Sequence, residues 1–145
     1  MHIHEILRQR RPSISFEIFP PKPEYPIETI YTTIAELKPL APDFISVTYG
    51  AGGSSRERTV EIASAAQNRW GLVSLAHLTC MGSTPAEVEE ILEELEQEGV
   101  RNVLAMKGDP RPEGGASHFL HASDLIRHIR RGHFSDFSLG AASYP

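Results

Sequence analysis

The fold turns on the stretch Ser13-Ile-Ser-Phe-Glu-Ile-Phe-Pro-Pro-Lys-Pro23. Residues 13–19 are apolar, β-branched or aromatic with polar residues between them, which predicts a strand. The residues after it decide what kind of sheet the strand belongs to. A flavodoxin-like sheet usually places a Ser/Thr/Gly phosphate loop after its first strand. Here that loop holds Pro20, Pro21 and Pro23, and proline has no N–H with which to cradle a phosphate. Inside the strand stands Glu17, an ionisable side chain between Phe16 and Ile18.

Four further runs have strand character: Phe44–Tyr49, Val73–Cys80, Asn102–Lys107 and Phe137–Ala142. They recur roughly every 30 residues, the size of a βαβ unit. The segments between them read as helices. Thr84, Pro85 and Glu87 form a capping box with proline at the first helical position. Val88, Ile91, Leu92 and Leu95 follow as one apolar stripe, and Gly99 stands at the expected stop. Weaker stripes run through Ile27, Ile30, Tyr31, Ile34 and Leu37, and through Val60, Ile62, Ala63, Ala66 and Trp70, the latter capped by Ser54 or Ser55. Another runs through Leu125, Ile126 and Ile129, with Ser123 at its start and Gly132 at its end; residues 3–10 form a short leading helix.

Strand–helix alternation predicts a parallel α/β sheet with right-handed crossovers. Two architectures compete: a five-stranded flavodoxin-like sheet, and a (β/α)8 TIM barrel of roughly 250 residues, of which 145 residues supply about the first five strands. The strand ends favour the barrel. Glu17, Thr48-Tyr49, His77 and Thr79, Lys107-Gly-Asp109 and Ser143-Tyr144 all lie at or near the same end of their strands, where barrels carry their chemistry.

Composition removes several classes of function. No run approaches the ~18 apolar residues of a membrane span, and the N-terminus lacks the apolar core of a secretory signal. The single Cys80 fits a reducing cytoplasm. The net charge of −5 is local: residues 84–98 hold seven glutamates and no Lys or Arg. Setting those aside leaves 12 of the 19 acidic side chains against 14 basic ones, so there is no broad basic face for nucleic acid. The acidic segment reads as the solvated face of its helix.

Glu17 is the sharpest chemical candidate. A carboxyl buried in an apolar run holds its proton near neutrality and suits a general acid; strand alternation pointing it outward or into a salt bridge is the other reading. Asp109 either closes an Asx turn before Pro110 or serves a bound cofactor. His77 is either a satisfied core histidine or a ligand contact. Gly50-Ala-Gly-Gly-Ser-Ser55 precedes a helix but matches no nucleotide fingerprint. The histidines lack metal-ligand spacing, so no metal site is expected.

Five motifs then come in order: Ser15-Phe-Glu-Ile-Phe-Pro-Pro21, Ser46-Val-Thr-Tyr-Gly-Ala51, His77-Leu-Thr-Cys80, Leu104-Ala-Met-Lys-Gly-Asp-Pro110 and Ala122-Ser-Asp-Leu125. Together they closely resemble the N-terminal part of methylenetetrahydrofolate reductases, over nearly the whole chain. The resemblance implies a TIM barrel holding FAD at the C-terminal ends of its strands, with hydride passing from NAD(P)H through the flavin to 5,10-methylenetetrahydrofolate to give 5-methyltetrahydrofolate. It implies that Glu17 is the acid that assists opening of the folate's imidazolidine ring and that Asp109 is a carboxylate near flavin and pterin. Flavin contacts would come from Thr48, His77, Lys107, Asp109, His121, Ala142 and Tyr144.

Lys107 stands where that family commonly has Arg, and His121 where a Tyr usually precedes Ala-Ser-Asp. The family continues beyond Tyr144-Pro145 with a His-containing segment and three further strands. Residues 1–145 are therefore expected to be the N-terminal portion of one flavin-binding barrel, weakly active or inactive alone. The alternative is a non-catalytic half-barrel module that pairs with itself or with another chain.

Overall fold

The computed structural model describes residues 1–9, 11–49, 56–109 and 118–142. Five strands appear where alternation predicts them: β1 (Ser15–Ile18), β2 (Phe44–Val47), β3 (Ser74–Thr79), β4 (Asn102–Met106) and β5 (Ser138–Ala141). The helices are α1 (Ile3–Leu7), α2 (Glu28–Leu37, continued by a 3-10 turn at Lys38–Leu40), α3 (Arg56–Trp70), α4 (Pro85–Gln97) and α5 (Ala122–Arg131).

The strands pair in parallel in the order β1-β2-β3-β4-β5. A flavodoxin-like sheet has the order 2-1-3-4-5. Sequential order is that of consecutive barrel strands, so the chain forms part of a TIM barrel.

Period-two alternation divides the side chains between two faces. Ile18, Ile45, Val47, Ala76, Leu78, Val103 and Ala105 join one core with Ile34 of α2, Ile62 of α3, Leu92 and Leu95 of α4, and Leu125 and Ile129 of α5. Burying each Leu or Ile contributes roughly 1.5–3 kcal/mol. The alternate residues face the other way, and the register sets Glu17 beside Ser46, Ser46 beside Leu75, His77 beside Leu104 and Leu104 beside Gly140. Helix α1 lies against the N-terminal ends of β4 and β5: Ile3 N–H donates to Asn102 Oδ1 at 2.8 Å, and His4 Nδ1 lies 3.1 Å from Ser138 Oγ. A cavity of about 210 Å³, lined in part by Ile3, Leu7, Leu75 and Leu104, separates α1 from the sheet.

Local signals explain the elements. In α4, Thr84 Oγ1 accepts from Glu87 N–H at 3.2 Å and Glu87 Oε2 accepts from Thr84 N–H at 2.7 Å. The predicted stripe of Val88, Ile91, Leu92 and Leu95 is buried. Gly99 turns the chain at φ +77°, the left-handed conformation that glycine adopts without cost. At the N-terminal side of the sheet, the Asp43 carboxylate accepts from Ile14 N–H at 2.8 Å and pairs with Arg11, which holds it below the usual carboxylate range.

Two expectations need correction. The cap of α5 is His121, not Ser123; Asp124 Oδ2 accepts from the N–H groups of Leu120 and His121 at 3.1 and 3.0 Å. The leading helix ends at Leu7, short of residue 10, and Leu7 is exposed. Ser54 and Ser55 lie outside the described residues.

Candidate active site

The C-terminal ends of β1, β2 and β3 bring together Glu17, Ser46 and His77. The link is register: Glu17 pairs with Ser46 across β1–β2, and His77 lies one pleat beyond Ser46's neighbour Leu75. His77 Nε2 stands 2.7 Å from Ser46 Oγ and 3.4 Å from Glu17 Oε2. His77 is only 6% exposed, and that burial pushes its imidazole below the ordinary 6.5, with Glu17 opposing the shift. The ring is thus neutral at neutral pH. With its proton on Nε2 it donates toward Ser46 Oγ and faces the carboxylate.

Glu17 is not desolvated as an apolar run would imply. Its neighbour Ile18 joins the helix-side core, and its own side chain, 51% exposed, stands on the opposite face of the sheet. Of the two readings, alternation pointing Glu17 away from the core describes its geometry, and its 3.4 Å approach to the neutral His77 ring is a polar contact rather than an ion pair.

Thr48 follows Ser46 on the same face. It is 6% exposed, and its Oγ1 has no hydrogen-bond partner among the described residues. Its backbone is fixed twice: Thr48 N–H donates to Ile18 O and Thr59 Oγ1 donates to Thr48 O, both at 3.0 Å.

Lys107 and Asp109 extend from the end of β4, both exposed. The Lys107 carbonyl accepts from Met81 N–H at 2.8 Å and from Cys80 N–H at 3.3 Å, tying this turn to the end of β3. Gly108 between them sits at φ +76° against Thr79. The His121 side chain is exposed and lies 3.7 Å from Asp124. Ala142 is exposed just past β5. Tyr144 and the Gly50–Ser55 loop lie outside the described residues. Cys80 is buried, its thiol pushed up by burial. Among the described residues, no group of three His, Cys, Asp or Glu is arranged to hold a metal ion, and no helix is long and apolar enough to cross a membrane.

Ser46 is the residue that the sequence did not single out. Alternation marks Ser46 and His77 as facing away from the helices, but only the strand pairing puts them in contact across 31 positions.

Sequential parallel strands with their ionisable groups gathered at the C-terminal ends define a class: a segment of a TIM barrel that carries part of a strand-end site. A solved 4-hydroxy-tetrahydrodipicolinate synthase from Methylacidiphilum fumariolicum SolV shares this fold, with a TM-score of 0.56 and 18% identity over 90% of this chain and 43% of that one. The methylenetetrahydrofolate reductase family model matches residues 2–145, and the chain belongs to that family. It is 37% identical to the 5,10-methylenetetrahydrofolate reductase of Escherichia coli K12, across 92% of this chain and 44% of that protein. It is 36% identical to methylenetetrahydrofolate reductase (NADH) 1 of Arabidopsis thaliana, across 99% of this chain and 25% of that protein. The chain thus spans less than half the length of these relatives.

Proposed function

We propose that these residues are the acid-bearing N-terminal part of a flavin-dependent methylenetetrahydrofolate reductase, in which NAD(P)H is the hydride source and 5,10-methylenetetrahydrofolate the acceptor. The observation that carries the reading is the Glu17 carboxyl on the face away from the helices, 3.4 Å from a buried, neutral His77. Opening the imidazolidine ring breaks a carbon–nitrogen bond of the N–CH2–N bridge, and the departing nitrogen needs a proton. Glu17 in its carboxylic acid form supplies that proton. Ser46 holds the His77 ring from the side.

FAD, when bound, supplies the hydride relay between the nicotinamide and the folate. The residues fit such a group on one point of structure: the buried Thr48 hydroxyl lacks a partner among the described residues, and buried polar groups ordinarily have one. Thr48, His77, Lys107, Asp109, His121, Ala142 and Tyr144 would hold the flavin. Lys107 offers a phosphate a point charge rather than the fork of an arginine. Asp109, on the same turn, would be the carboxylate near flavin and pterin.

Because these residues span less than half the length of the relatives they match, the activity is proposed for the complete barrel. The test is Glu17→Gln in the complete barrel. Reduction of the flavin by nicotinamide should persist, while reoxidation by the folate falls by roughly 10²–10⁴-fold, the usual range for a general acid. Equal loss in both half-reactions would remove the acid assignment.

A second reading rests on the strand edges. Among the described residues, β1 and β5 each pair on one side only, and open parallel edges invite a partner. On that reading the chain is a half-barrel that closes with a second copy or another chain. Light scattering of the purified chain separates the two, because obligate pairing excludes a compact monomer.

A further inference from the structure

The loop after β1 is held by a residue that none of the site motifs contains. Arg58 lies in the first turn of α3, and its four acceptors among the described residues are all backbone carbonyls. Nη1 donates to Pro21 O at 2.9 Å, Lys22 O at 2.8 Å and Tyr25 O at 3.1 Å, and Nη2 donates to Pro23 O at 3.2 Å. A guanidinium in the first turn opposes the helix dipole, so the helix itself gives no reason for an arginine there. The loop gives one. Pro20, Pro21, Pro23 and Pro26 remove four N–H groups from this segment, which leaves carbonyls in excess of donors. Its own turn uses one pair, Tyr25 N–H to Lys22 O at 2.9 Å. A guanidinium carries five donors and meets the remaining demand from a single point.

The next residue grips the neighbouring strand. Thr59 is 1% exposed and donates to Thr48 O, and Thr48 N–H in turn donates to Ile18 O. Two consecutive residues of one helical turn therefore hold the exits of both β1 and β2, the strands that carry Glu17 and Thr48.

We propose that Arg58 and Thr59 form a positioning clamp that fixes the Glu17 strand end against the Thr48 strand end. Arg58 touches no reacting atom and acts through the Pro21–Tyr25 loop. The consequence for catalysis rests on the function proposed above; the mechanical claim does not. Small displacements of an acid from its target cost large factors in rate, so loosening this loop should slow the step that uses Glu17 and spare the one that does not.

The experiment compares Arg58→Gln and Arg58→Lys in the complete barrel with bound flavin. Amide exchange at Tyr25, whose N–H closes the loop's own turn, reports the clamp directly. In Arg58→Gln it should accelerate by about tenfold or more. Folate-dependent reoxidation should fall by about tenfold, with nicotinamide-dependent flavin reduction within about twofold of the parent. Arg58→Lys should restore most of both, because three of the four contacts fall on one nitrogen and an ammonium has three donors. Unchanged Tyr25 exchange in Arg58→Gln overturns the proposal, as does an equal fall in both half-reactions, which marks a merely structural residue. If the unsubstituted protein reduces no folate, the functional reading fails, and Tyr25 exchange alone decides the clamp.

Discussion

Gly108→Ala probes how the turn bearing Lys107 and Asp109 is built. At φ +76° a non-glycine residue is in the left-handed region, which costs about 1–2 kcal/mol. An added Cβ would also stand 2.7 Å from Thr79 Cβ, 3.1 Å from its Cγ2 and 3.3 Å from its Oγ1. The nearest of these is the atom bonded to the backbone, so no rotamer change moves it aside. Relief requires the end of β4 to shift away from β3, and overpacking of this kind costs about 1–3 kcal/mol. The total is about 2–5 kcal/mol, and the same shift displaces Lys107 and Asp109.

Urea unfolding measures it in three backgrounds. With Thr79 intact the full cost is expected. With Thr79→Ala most of it should remain, because alanine keeps the Cβ that makes the closest contact. With Thr79→Gly it should drop to the backbone part, about 1–2 kcal/mol. A cost below about 0.5 kcal/mol, the range of an ordinary surface change, would refute the reasoning. So would a cost that Thr79→Gly leaves untouched.

The His77 ring gives a pH prediction with a definite sign. Burial holds its folded-state value below 6.5, so protonation favours the unfolded chain; the ring's contribution is complete above about pH 6.5 and is lost as pH falls from there through the folded value. The urea midpoint of the parent should therefore fall more steeply below pH 6.5 than that of His77→Gln, and parallel curves would contradict the assignment. Thr84→Ala removes the acceptor of the Glu87 N–H and should cost about 1 kcal/mol, read by thermal unfolding as a fall of about 2–4 °C. Adding Glu87→Ala should cost less than that change does alone, because the two side chains form one box.

How far these features could be read in advance depends on whether their cause is local. The Thr84 box and the Val88–Leu95 stripe are local, since a cap and a 3.6-residue period need no partner elsewhere, and they appear where the residues place them. Strand order is not local. Alternating strands and helices are compatible with either sheet, and only the polar residues gathered at one end of the strands and the prolines after β1 leaned toward the barrel. Glu17 stood out as an anomaly because its neighbours are apolar, yet those neighbours were a misleading guide to its surroundings. In a strand with helices on one side, Ile18 belongs to the core and Glu17 to the opposite face. Ser46 was silent for the complementary reason: a serine in a strand has no meaning until the register sets it 2.7 Å from His77. Arg58 is the hardest case. Its acceptors are carbonyls, which every residue carries, so its partners leave no trace in residue type. The nearest thing to a signal is indirect: a loop whose prolines strip it of donors must find them on another element, and the first turn of α3 is where it finds them.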